Sequence, residues 1–164
     1  MSMKRKKLLT LCACAALAGA CEADDILRYV LPEVGTVNSF EVSNGNLYPL
    51  VGRPWGMHSW SPVTKMDEKG TERWFYDYTH VRFHGLKLTH QLSPWIGDYA
   101  TATLLPMTGK PAARRTERFS WYSHKTETIS PTLYRVYLPD FDVTFRLAPT
   151  ARAAAAAPPV RYRP

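Results

Sequence analysis

Towards its C-terminus the chain carries its plainest pattern. In "TLYRVYLPDFDVTFRLAP", Phe141, Val143, Phe145 and Leu147 share one side of an extended backbone, and Asp142, Thr144 and Arg146 share the other. Side chains alternate between faces along a strand, so this spacing predicts a half-buried strand. Pro139-Asp140 separates its two arms and predicts a hairpin turn. Upstream, "WFYDYTHVRFHGLKL" is aromatic and β-branched, with Gly85 predicting a bend, and "YATATLLPM" is a further strand candidate. Between Gly35 and Gly56 the chain is rich in Gly, Asn, Pro and Ser, which predicts surface loops with brief extended pieces. Its "SNGN" is a turn signal, because Asn-Gly accepts positive φ. Outside the leader no helix-length segment has a 3.6-residue period. The predicted fold is all-β, an antiparallel β-sandwich over residues 32–150.

Both ends differ from this body. Residues 1–20 start with the basic run Lys4 to Lys7, continue through an apolar run from Leu8 to Ala18, and close on small residues. The apolar run is well short of the ~20 residues a bilayer span needs, so it reads as an export signal. Two processing routes are open. A signal peptidase could cut after Ala20, or Cys21 could become the acylated first residue of a lipoprotein. The lipoprotein route is favoured, although Leu17 stands one place further from Cys21 than the usual pattern asks. Residues 21–31 read as a linker. At the other end, residues 151–164, "ARAAAAAPPVRYRP", form a low-complexity Ala/Pro tail without an apolar stripe. Composition predicts a short disordered tail.

Charge narrows the choice of partner. The formal net charge is +7, from 21 basic and 14 acidic residues. Four of the basic residues belong to the leader and no acid precedes Glu22, which leaves 17 against 14. Setting aside Arg152, Arg161 and Arg163 in the tail leaves 14 against 14. Nucleic-acid binding calls for a clustered basic excess, and only Arg114, Arg115 and Arg118 cluster, so no nucleic-acid partner is expected. Cys12, Cys14 and Cys21 all lie in or at the end of the leader, so the body has neither a disulfide nor a thiolate metal site.

Candidate chemistry concentrates in "LTHQLSPWIGDYA", Leu88 to Ala100. Pro94 and Gly97 break regular structure there, so a loop presents His90, Trp95 and Asp98 together. His80, His84 and His90 are spaced like metal ligands, but zinc wants three or four converging ligands and no metal is expected on this chain. The acids Glu33, Glu41, Asp67, Glu68, Glu72, Asp77, Asp98, Glu117, Glu127, Asp140 and Asp142 show no pair that announces itself as facing across a sugar. Of the five tryptophans, Trp74 and Trp121 are expected in the core. Trp55, Trp60 and Trp95 stand beside Pro or in loops, where an aromatic plate suits the apolar face of a sugar.

Three runs carry a family resemblance: "GNLYPLVGRPWGMHSWSPVT", "GLKLTHQLSPWIGDYATATLLPMTG" and "SWYSHKTETISPTLYRVYLPDFDVTFRLAPTARAA". Together they make the chain resemble the N-terminal domain of glycoside hydrolase family 92, the bacterial calcium-dependent exo-α-mannosidases. The resemblance implies a β-sandwich packed on an (α/α)6 domain. It implies configuration-inverting hydrolysis, with the acid Glu, the base Asp and the calcium ligands lying mostly in the helical domain. It implies a mannose-containing glycan as partner and places Trp95, His90 and Asp98 as substrate-binding residues at the pocket rim. The competing reading has Trp95 plugging the core and Asp98 capping a turn. The resemblance decays at Ala153, and no helical domain follows. The favoured expectation is a truncated or frameshifted product, with no catalytic residue on this chain and inactive alone. An autonomous surface-anchored glycan-binding module is the alternative, and a small structural lipoprotein is the third reading. Export implies the periplasm or the outer membrane of a Gram-negative bacterium, with membrane contact only through a lipid anchor.

Overall fold

The computed structural model describes residues 26–38, 45–53, 56, 58–69, 74–89, 102–150 and 154–160, the last four by backbone alone. The chain divides into two compact units, Met1–Leu31 and Pro32–Pro164. Of the first, Ile26–Leu27 is helical and passes into a turn closed by Tyr29 N–H on the Ile26 carbonyl at 3.1 Å.

The second unit is all-β. Its strands are β1 (Ser59–Val63), β2 (Arg82–Phe83), β3 (Gly85–Thr89), β4 (Ala102–Leu104), β5 (Ser120–Trp121), β6 (Thr128–Ser130), β7 (Leu133–Leu138), β8 (Val143–Pro149) and β9 (Ala154–Val160). They make three antiparallel sheets, ordered β1-β3-β4, β2-β5 and β6-β7-β8-β9. Among its described residues this unit has no α-helix, only three single 3-10 turns.

Burial follows the alternation read from the sequence. In β7 Tyr134, Val136 and Leu138 are buried, and in β8 Val143, Phe145 and Leu147 are. Phe141 belongs to the connecting 3-10 turn, which ends on Asp142 in the left-handed region (φ 49°), and it still packs against the core. Residues from all three sheets share that core: Trp60, Phe83, Leu86, Ile129, Tyr134, Val136 and Phe145 form one cluster with Val51 and Tyr122. A second cluster holds Tyr48, Val63, Phe75 and Tyr76. β3 is the middle strand of its sheet and is buried on both faces. It even buries Lys87, whose ammonium lies 4.4 Å from the Phe75 ring centroid. The "SNGN" signal corresponds to left-handed backbone at Gly45 (φ 70°) and Asn46 (φ 59°).

Composition misjudged the tail. Residues 154–160 are strand β9, paired with β8 from Pro149↔Ala154 to Thr144↔Val160. An edge strand binds through its main chain and does not need an apolar stripe. The register shifts opposite Thr144/Arg146, where Pro158-Pro159 lies. A bulge is where residues without an N–H cost a ladder least.

Candidate functional site

The tryptophans divide differently from the sequence expectation. Trp60 stands in β1, 7% exposed, within the main core. Its loop-like neighbours Ser59 and Pro62 are themselves strand residues. Trp74 is buried as expected. Trp121 is 47% exposed, because Ser120 takes the buried face of β5 and Trp121 the outer one. Trp55, His90, Trp95, Asp98 and Cys21 lie outside the described residues.

Register explains what Trp121 does. Arg82 in β2 stands directly opposite Trp121 in β5, and residues so paired project to the same face. The Arg82 guanidinium lies 5.0 Å from the Trp121 ring and 5.2 Å from the Phe119 ring. The two rings meet edge to face at 5.8 Å. The Asp140 carboxylate, in the β7–β8 turn, accepts the main-chain N–H of Trp121 at 2.7 Å, and the Asp140 main-chain N–H goes to the Ser120 hydroxyl. The solvent-facing aspartate of the hairpin thus anchors the aromatic strand.

Beside this pair opens a groove of about 450 Å³, lined by Thr64, Lys65, Met66, Thr79, His80, Val81, Arg82, His84 and Trp121. His84 and Met66 also line a smaller neighbouring hollow with Arg115 and Arg118. The floor is held by Asp77. Thr64 bonds its N–H and carbonyl, and the Asp77 carboxylate accepts from the Thr79 N–H and hydroxyl at 2.9 and 2.7 Å. Burial pushes that carboxyl up, but the Thr79 hydrogen bonds outweigh burial and hold it below its usual range. His84 is 8% exposed and tilts against Phe119. Burial lowers its pKa and the Arg82 charge adds to the effect, against a hydrogen bond with the Arg118 main chain that raises it.

A second constellation was not anticipated. The Glu127 side chain is completely buried. One carboxylate oxygen lies 2.7 Å from His124 Nδ1, and the other accepts the Tyr134 hydroxyl at 2.7 Å. His124 Nε2 donates to the Tyr78 carbonyl at 2.8 Å, and its ring stacks on Tyr78. Burial raises the Glu33 carboxyl, with the Glu127 charge adding to it. The signal in the sequence was His124 and Glu127 three residues apart behind Ser123, whose hydroxyl caps that 3-10 turn. With both Glu127 oxygens engaged, neither is free to meet a glycosidic oxygen. Among the described residues no group of three or more His, Cys, Asp or Glu could hold a metal ion.

Residues 29–157 match the N-terminal domain of glycosyl hydrolase family 92. The chain belongs to this family. A solved family 92 inverting mannosidase from Bacteroides thetaiotaomicron is similar over 78% of this chain, with 37% identity and a TM-score of 0.68. An α-mannosidase of the same family and species, solved in complex with mannoimidazole, gives 30% identity and a TM-score of 0.64 over the same share. This chain spans 17% of the length of each. Among curated proteins, none matches. The family 92 match continues through Ala157, into strand β9, past the point where the sequence resemblance had faded.

Proposed function

We propose that the chain is the sandwich domain of an exported α-mannosidase-like glycoside hydrolase, where it completes a substrate pocket whose catalytic and calcium-binding groups stand on a helical domain. The observation that carries this reading is the family 92 match over residues 29–157, together with 37% identity to an inverting mannosidase. Chemistry supports the division of labour. Of the described acids, Asp77 is committed to Thr79, Glu127 to His124 and Tyr134, and Asp140 to Trp121. Inverting hydrolysis needs two carboxyl groups ~6.5–9.5 Å apart across the sugar, one acid and one base. In this reading the loop from Leu88 to Ala100 supplies binding: Trp95 covers the apolar face of the terminal mannose, and His90 and Asp98 bond its hydroxyls.

The test joins this chain to the helical domain of a family 92 mannosidase and follows release of mannose from an α-mannoside. The 164-residue chain alone should release none, and the joined protein should do so with calcium. In the joined protein Trp95→Ala should weaken mannoside affinity while leaving the melting temperature nearly unchanged. Calcium-dependent release by the purified chain, surviving a control for contaminating enzyme, would overturn the division of labour. Normal affinity with a much lower melting temperature would return Trp95 to the core. The second reading, an autonomous glycan-binding module, is favoured by the exposed Trp121 beside an open groove. It predicts sugar binding by the chain without any helical domain.

A further inference from the structure

The groove beside Arg82 is built differently from a site for neutral mannose. Among the described residues that line it are two cations, Lys65 and Arg82, two imidazoles, His80 and His84, and no carboxylate. Arg82 lies over both the Phe119 and the Trp121 rings, at 5.2 and 5.0 Å. Among the described residues, no carboxylate or carbonyl oxygen accepts from its guanidinium. Stacking restricts the guanidinium while leaving the N–H groups in its plane to bond, the arrangement that suits bidentate contact with a planar carboxylate or a phosphate. The nearby carboxylates of Asp77 and Asp140 are engaged by Thr79 and by the Trp121 main chain, and among the described lining residues the charged groups are Lys65 and Arg82.

The floor supplies an independent observation. His84 is 8% exposed, and its Nδ1 has no hydrogen-bond partner among the described residues. A buried polar atom without a partner costs stability unless something present in the working state satisfies it. The Trp121 indole also lines the groove and is 47% exposed, although a tryptophan gains more than most side chains from burial. The size of the groove, about 450 Å³, falls within the range of small-ligand sites and is far more than a bare anion fills.

We propose that the groove between Lys65, Arg82, His84 and Trp121 binds an acidic monosaccharide, one carrying a phosphate or a carboxylate group. The anionic group meets the Arg82 fork and the Lys65 ammonium. The sugar ring lies along Trp121, whose indole offers a flat surface to its C–H groups. This inference does not rest on the mannosidase reading. It concerns a non-catalytic site and holds whether or not the chain is joined to a helical domain.

The test is titration of the full 164-residue chain, followed by tryptophan fluorescence and calorimetry. The probes are a hexose 6-phosphate, a methyl hexuronide, methyl α-mannoside, inorganic phosphate and a nucleoside monophosphate. One or both acidic sugars should bind at least tenfold more tightly than methyl α-mannoside and than inorganic phosphate, with affinity falling as salt rises. Which of the two acidic sugars binds identifies the anionic group. Arg82→Met keeps an apolar stem against the two rings and should lose at least tenfold in affinity, with only the small drop in melting temperature that loss of the cation–π contacts brings. Lys65→Met should lose affinity in the same direction, which keeps the test valid if the Arg82 variant fails to fold. Equal binding of the neutral mannoside, full binding by inorganic phosphate alone, stronger binding of the nucleotide, or unaltered affinity in both variants would overturn the proposal.

Discussion

His124 Nδ1 lies 2.7 Å from a Glu127 carboxylate that is shut off from solvent, while His124 Nε2 donates to the Tyr78 carbonyl. A carbonyl oxygen only accepts, so the proton on Nε2 is fixed. A second proton must then sit between Nδ1 and the carboxylate, and the pair shares it as imidazolium and carboxylate. Removing one partner of a buried pair leaves the other unsatisfied, which costs about 3 kcal/mol.

That arrangement makes a pH prediction. The hydrogen bond to Glu127 raises the His124 pKa above its ordinary 6.5, against the opposing effect of burial. A group whose pKa is higher folded than unfolded stabilises fully below the unfolded value and loses that contribution as pH rises through the folded one. Wild type should therefore exceed Glu127→Gln in melting temperature most at a pH below the ordinary histidine value of 6.5, and the gap should narrow as pH rises through the raised folded value. A gap that stays constant over that window would show that the pair shares no titrating proton.

Gly85 gives a backbone test. Its φ is 136°, and an added Cβ would lie 2.7 Å from Thr103 Cγ2 and 2.8 Å from the Leu104 carbonyl oxygen. Gly85→Ala should cost about 2 kcal/mol or more in urea unfolding. Gly109 also has positive φ, at 77°, but nothing stands within 4 Å of its Cβ position. Gly109→Ala should cost only about 1 kcal/mol. Equal losses would mean that the approach of β4 to Gly85 carries no energy.

Trp60 and Trp121 should respond oppositely. Trp60→Ala empties a core position and should cost about 3–5 kcal/mol. Trp121→Ala removes a half-exposed ring and should leave the unfolding midpoint within about 0.5 kcal/mol of wild type plus the loss of its cation–π contact, about 1 kcal/mol. Chemical denaturation of both variants decides it, and similar losses would put Trp121 in the core after all.

Export is tested by mass. In the lipoprotein reading Cys21 becomes the first residue and carries acyl chains. Intact-mass measurement of membrane-extracted protein should show the diacyl or triacyl increment on a chain beginning at Cys21. An unmodified Cys21 in the soluble fraction would refute lipidation and leave secretion standing.

Strand alternation made β7, β8 and their turn legible, since Val143, Phe145 and Leu147 could be buried in only one phase. The family motifs supplied what periodicity could not, the identity of the domain. Trp60 and Trp121 were misplaced because a residue type says that a ring wants burial, while the face of the strand it stands on decides whether it gets it. The groove was invisible for a related reason. Arg82 and Trp121 are 39 positions apart and meet only through the β2–β5 register. Glu127 was one acid in a long roll; His124 three residues before it was a local sign, but nothing local revealed that Tyr134 bonds it from β7.

β9 carries a further consequence. It holds its place against β8 through amide and carbonyl groups, with alanines along most of its length. The sheet there recognises a polypeptide, not a vocabulary. Replacing one small side chain with another leaves the ladder intact, so this margin tolerates spelling changes that would ruin β7. By the same token, what would loosen this margin is the loss of a main-chain donor, as a further proline would cause, and not the exchange of one small side chain for another.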